Sequence, residues 1–158
     1  MKALIALVIL SMSFQVFAGQ LVIHSKGIPD VHFNEETLST RFTQVQLTTK
    51  LPWYPEEKAF VGVRVSELLS ELKFDNATNI TLEALNDYAA DISVADINKY
   101  QPIIAYKMDG KAMKVRHKGP FWLVFDLSKY PEIDRADYYS KMVWQIKEVT
   151  VINANDKK

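Results

Sequence analysis

Short runs in which apolar and polar residues alternate, cut apart by turn residues, set the tightest limit on how this chain folds. A side-chain period of two belongs to a half-buried strand and to no helix. Phe42 to Lys50 alternates in this way, with Val45 and Leu47 on one face. Ile80, Leu82 and Ala84 do the same against Thr81 and Glu83, after the turn chemistry of Asp75 to Asn79. Leu21 to His24, Tyr88 to Ile92, Ile103 to Met108, Phe121 to Phe125 and Trp144 to Ile152 read as further strands. In the last of these the apolar phase shifts between Ile146 and Val149, which predicts a bulge around Lys147 and Glu148. Asp109-Gly110 predicts a type I′ hairpin turn into Lys111 to Val115, since both central residues must accept positive φ.

Helical signals are fewer. Val65, Leu68, Leu69 and Leu72 recur at i, i+3, i+4 and i+7, which lines one face of a short amphipathic helix. Asn34 before Glu35 and Glu36 suits a helix start, because its side chain accepts amide protons and the acids face the positive end. Ser93 with Asp96 predicts a capped single turn ending near Tyr100, ahead of Pro102. The reading is an α+β single domain: a mixed, mostly antiparallel sheet or barrel-like core with two or three short helices.

The 158 residues contain no cysteine. Disulfides, zinc-thiolate sites, iron–sulfur clusters and thiol nucleophiles are therefore excluded. Lys+Arg and Asp+Glu are both 19, so no basic excess asks for nucleic acid. Residues 1–18 read as a signal peptide: Lys2 supplies the positive end, Ala3 to Leu10 the apolar stretch, and Val16-Phe17-Ala18 the small residues for cleavage before Gly19. Unbroken apolarity ends at Ser11, short of the roughly 20 residues that span a bilayer, so no membrane anchor is expected. The mature chain is expected in the periplasm or secreted, with a module at 19–152 and a polar tail at 153–158.

Neither a glycine-rich phosphate loop nor a G-x-S-x-G elbow occurs. His24, Asp30 and His32 match no zinc-ligand spacing and read as surface groups. Three segments are dense in recognition chemistry. Trp53 and Tyr54 sit between Pro52 and Pro55, as a core-capping loop or a stacking wall. Asn86, Asp87 and Tyr88 form either a turn or a polar rim for a ligand. Arg116, His117 and Lys118 concentrate positive charge, as a solvated loop or a seat for a phosphate, carboxylate or acidic partner.

Taken in order, these segments resemble the oxidoreductase molybdopterin-binding domain, the fold of the sulfite oxidase catalytic domain, in a small exported form. The resemblance is carried by Thr49 to Leu69 (TKLPWYPEEKAFVGVRVSELL), Ala84 to Ala89 (ALNDYA), Ala105 to Pro120 (AYKMDGKAMKVRHKGP) and Val143 to Val149 (VWQIKEV). It implies a molybdenum held by one cysteine thiolate in catalytic members, where this chain has Gln46 to Lys50 (QLTTK). It also implies two cationic anchors for the pterin phosphate, where Trp122 and Val143 stand here. The expectation is a non-catalytic binding module without the cofactor, its groove lined by Trp53, Tyr54, Asn86, Asp87, Tyr88, Arg116, His117 and Lys118. It would take a small anionic or polar ligand, or dock on a membrane sensor kinase or diguanylate cyclase, as the resemblance implies for stand-alone members. The alternative is a molybdopterin-dependent oxidoreductase holding its cofactor through Arg116, His117 and Lys118.

Overall fold

The computed structural model describes residues 19–157. The proposed signal peptide lies outside the described residues. Two sheets, each of five strands, carry the chain. The first has the order β2-β1-β10-β5-β6, built from β1 (Leu21–Ser25), β2 (Ile28–Phe33), β5 (Ala77–Ala84), β6 (Ala89–Ser93) and β10 (Ile146–Asn153). All its pairings are antiparallel except β1 with β10, where Val22 faces Glu148 and Ser25 faces Val151 in parallel. The second runs β3 (Val45–Thr49), β4 (Lys58–Arg64), β7 (Ile103–Met108), β8 (Lys111–Ala112), with β9 (Trp122–Val124) also pairing β7. No closed barrel forms among the described residues, which corrects the barrel-like expectation.

Four α-helices occur among the described residues, one more than the upper expectation: α1 (Glu35–Arg41), α2 (Val65–Glu71), α3 (Val94–Tyr100) and α4 (Ala136–Tyr139). Asn34 caps α1 as its side chain implies, accepting from the Thr37 amide at 2.8 Å. Helix α2 buries Val65, Leu68 and Leu69, three of the four residues of the stripe expected from spacing, and the fourth, Leu72, is its partly buried C-cap. Ser93 caps α3 by accepting from Asp96 N at 3.0 Å, but the helix runs seven residues rather than one turn. The apolar faces of both sheets and the helices meet in one core, in which Phe60, Tyr106, Phe121, Trp122 and Phe125 are the bulkiest fully buried side chains.

Where sequence and structure differ, the causes are local. Strand β2 has no alternation to read because it is an edge strand whose residues are mostly exposed, with Pro29 near its start. Strand β4 runs through Gly62, where a Cβ would sit 2.2 Å from the Ile104 carbonyl oxygen, and its register against β7 shifts between Val61 and Gly62. Phe42 terminates α1 instead of opening β3. Beyond Ala112 the expected second hairpin strand gives way to a 3-10 turn at Val115–His117. The Asp109-Gly110 turn has φ of 50° and 76°, as a type I′ turn requires, and the register of β10 shifts between Ile146 and Glu148, where the apolar phase places the bulge. The expected polar tail is shorter, since β10 takes in Asn153, and Ala154 N then donates to Asn76 O.

Candidate functional site

The loop from β3 to β4 is clamped at its start. Thr49 is fully buried, its Oγ1 accepting from Ser128 N at 3.1 Å, while Lys50 N donates to Ser128 Oγ at 3.0 Å. Held there, the loop turns at Leu51 and places the Trp53 ring against Trp122, Trp144 and Tyr139, with centroids 5.6, 5.3 and 6.0 Å apart. Trp122 organises this cluster from β9: its Nε1 donates to Met142 O at 3.0 Å, and the Leu123 amide donates to Val143 O. Those bonds draw the segment ahead of β10 alongside β9.

Opposite stands the β5–β6 loop. Asp87 adopts φ of 64° and its amide closes a turn on Ala84 O. Tyr88 donates its hydroxyl to Ser140 O at 2.7 Å, which ties the loop to the end of α4. Between these walls lies a cavity of about 360 Å³, lined mainly by Trp53, Asn86, Tyr88, Tyr139, Met142 and Trp144. That volume falls in the range of roughly 300–1,000 Å³ typical of small-molecule sites. Aromatic walls set edge-to-face, with one side-chain amide, favour a flat, polar ring.

Lys118 supplies the charge. Its Nζ lies 3.3 Å from the Trp144 ring centroid and 5.2 and 5.3 Å from those of Trp53 and Trp122. It is half-buried and forms no ion pair among the described residues. Burial pushes its pKa below the ordinary lysine value. The rings offer their negative faces to the ammonium in place of a carboxylate. A positive charge therefore rests one ring away from the cavity, with no anion to neutralise it.

The eight residues singled out in the sequence divide in space. Trp53, Asn86 and Tyr88 share the cavity, and Lys118 backs its tryptophan wall. Tyr54 packs on Trp122, with centroids 6.3 Å apart, outside the cavity lining; Lys58 Nζ lies 5.4 Å over its ring, and burial raises its phenol pKa. Asp87 is engaged by Lys147 at 2.7 Å, which holds its carboxyl below the usual range. Arg116 and His117 line a different cavity, beside Lys111 and Lys114. Tyr139 and Trp144, which complete the aromatic wall, carry no local mark of that role. Tyr130 and Tyr138, their neighbours in sequence, instead pack on Tyr100, with centroids 5.2 and 5.6 Å from its ring.

The donor set does not fit a thiolate-held metal. The chain has no cysteine, and the segment Gln46 to Lys50 offers Thr49, whose hydroxyl is already committed to Ser128. Among the described residues no three His, Cys, Asp or Glu side chains converge as metal ligands, and His24 pairs with Asp30 at 2.6 Å.

A search of curated proteins returns no match. A family model does: that of the oxidoreductase molybdopterin binding domain matches residues 32–127, well over half of the chain. The match includes Trp53, Asn86, Tyr88 and Lys118 but stops short of Tyr139 and Trp144.

Proposed function

Because the chain belongs to the oxidoreductase molybdopterin-binding domain family, we propose that it is an exported binding module that has kept a ring-binding cavity without the catalytic metal. One observation carries this reading: a half-buried ammonium, Lys118, caged by Trp53, Trp122 and Trp144 and lacking an ion pair among the described residues. Such a charge next to an aromatic slot favours a small ligand with a flat, electron-rich or anionic ring, stacked on one of the perpendicular Trp53 and Trp144 rings, in edge contact with the other, and oriented by the Asn86 amide. A pterin ring is of this class. The absent thiolate argues against a redox role, since a soft metal centre has nothing comparable to bind it.

The test is fluorescence titration of the purified mature chain with 6-carboxypterin, using the tryptophans as reporter. Saturable quenching is expected, with Asn86→Ala and Trp144→Ala each weakening binding by about tenfold, the scale of one lost hydrogen bond or stacking contact. No quenching, or molybdenum at one equivalent in protein purified from its native compartment, overturns the reading.

Docking on the external domain of a membrane sensor kinase or diguanylate cyclase is the second reading, supported by a separate observation. Leu85, Tyr88 and Val115 are three of the four exposed large apolar side chains among the described residues, and Gln145 joins their two loops by accepting from Leu85 N and donating to Val115 O. Paired substitution of Leu85 and Val115 by glutamate is expected to abolish capture of such a sensor while leaving ring binding intact. Unchanged capture would sink it.

A further inference from the structure

On the other side of the Lys118 turn, four side chains that carry or accept positive charge converge. Lys111 from the hairpin, Lys114 at the start of the 3-10 turn, and Arg116 and His117 within that turn line one cavity of about 480 Å³. None of the four forms an ion pair among the described residues. The one acid in the lining, Asp109, is occupied: Lys58 donates to it at 3.0 Å and Ala59 N at 3.1 Å. A chain with equal numbers of acidic and basic residues has thus gathered uncompensated positive charge in one concavity.

The backbone beneath is fixed rather than loose. Lys114 O accepts from both His117 N and Gly119 N, Met113 N donates to Tyr106 O, and Gln145 Nε2 donates to Val115 O at 2.7 Å. Gly119 is required here, since a Cβ would stand 2.1 Å from the Met113 carbonyl oxygen. Like charges held close on such a frame repel one another, and a multivalent anion relieves that repulsion. A guanidinium fork with two ammonium groups is the donor set that suits phosphate oxygens.

We propose that the cavity between the β7–β8 hairpin and the 3-10 turn is a second ligand site, for a phosphate-class anion, separate from the tryptophan-walled cavity. The phosphate has two sources, free or on a lipid. A largely apolar cavity of about 640 Å³, with Leu85, Val115 and Phe121 in its lining, shares Ala112, Met113 and Lys114 with the cationic one, so an acyl chain has somewhere to lie.

Isothermal titration of the mature chain with pyrophosphate, and separately with a short-chain lysophosphatidic acid below its micelle concentration, tests both sources. Saturable binding that weakens at least tenfold in Arg116→Gln and in Lys114→Gln, and falls as salt rises, is expected. Equal affinity for both probes identifies a free anion, and a preference for the lysophospholipid identifies a lipid phosphate. Binding of neither probe, or binding that both substitutions leave unchanged, overturns the proposal. Both residues are exposed, so the variants should fold, and far-ultraviolet circular dichroism confirms that they do. Binding of 6-carboxypterin should be unchanged in both, which separates failure here from failure at the tryptophan cavity.

Discussion

Replacing Trp122 by phenylalanine tests whether the aromatic cavity is built from within the core. The indole is fully buried, with ring neighbours Phe60, Trp53, Trp144 and Tyr54 at 5.4 to 6.3 Å. Its Nε1 donates to Met142 O, and phenylalanine leaves that carbonyl unpaired, at about 1–3 kcal/mol. The smaller ring also opens a void of roughly 40 Å³, which at about 24 cal/mol per Å³ adds about 1 kcal/mol. The total is near 3 kcal/mol, which lowers the melting temperature by about 10 °C in a domain of this size. In urea the midpoint should fall by about 1.5 M at an m-value near 2 kcal/mol/M, with the slope unchanged. Ring binding should weaken as well, because the segment of Met142 and Trp144 loses one of the two bonds that draw it to β9. A midpoint within about 0.3 M of wild type would refute the claim that Trp122 holds that wall.

Three further outcomes follow from charge and close contact. Burial lowers the Lys118 pKa, so the unfolded chain binds that proton more tightly, and this residue's effect on stability becomes more favourable as pH rises toward its ordinary value of 10.5. In urea melts from neutral to alkaline pH, the gap between Lys118→Met and wild type should shift in favour of wild type, and a constant gap would refute this. Asp87 has the same pH slope from the opposite role: the hydrogen bond from Lys147 lowers its pKa, so its charged form favours the fold, a contribution present above 3.8 and lost as pH falls through the folded value. Acid titration of Asp87→Asn should therefore converge with wild type at the lowest pH. Gly119→Ala forces a Cβ against the Met113 carbonyl and should cost about 2 kcal/mol or more in denaturant melts, since neither contact is the end of a flexible side chain.

Features encoded by neighbouring residues are legible in the sequence itself. Asn34 caps a helix, Asp109-Gly110 turns a hairpin and Lys147-Glu148 bulges because each depends on groups a few residues apart. The helical stripe of Val65, Leu68 and Leu69 needs only its own periodicity. The site is legible in part. Trp53, Asn86 and Tyr88 declare themselves as clustered aromatic and amide chemistry, and they do share a cavity. Trp144 reads as the start of a strand, because nothing nearby shows that Gln145, at φ of 55°, breaks the chain there and leaves Trp144 bridged to Trp122. Arg116 and Lys118 read as one basic loop. The left-handed turn at Lys118 sends them apart, one into the cationic cavity and the other onto Trp144.

The parallel pairing of β1 with β10 has a consequence for how the polypeptide is made. Val22 finds its partner at Glu148, and β10 alone connects β1 and β2 to β5 and β6. As the protein is synthesised, two hairpins can form early, but each keeps an unpaired edge until almost the whole length has emerged. The newborn chain therefore remains open to chaperones, and to unwanted strand pairing, until the end of translation.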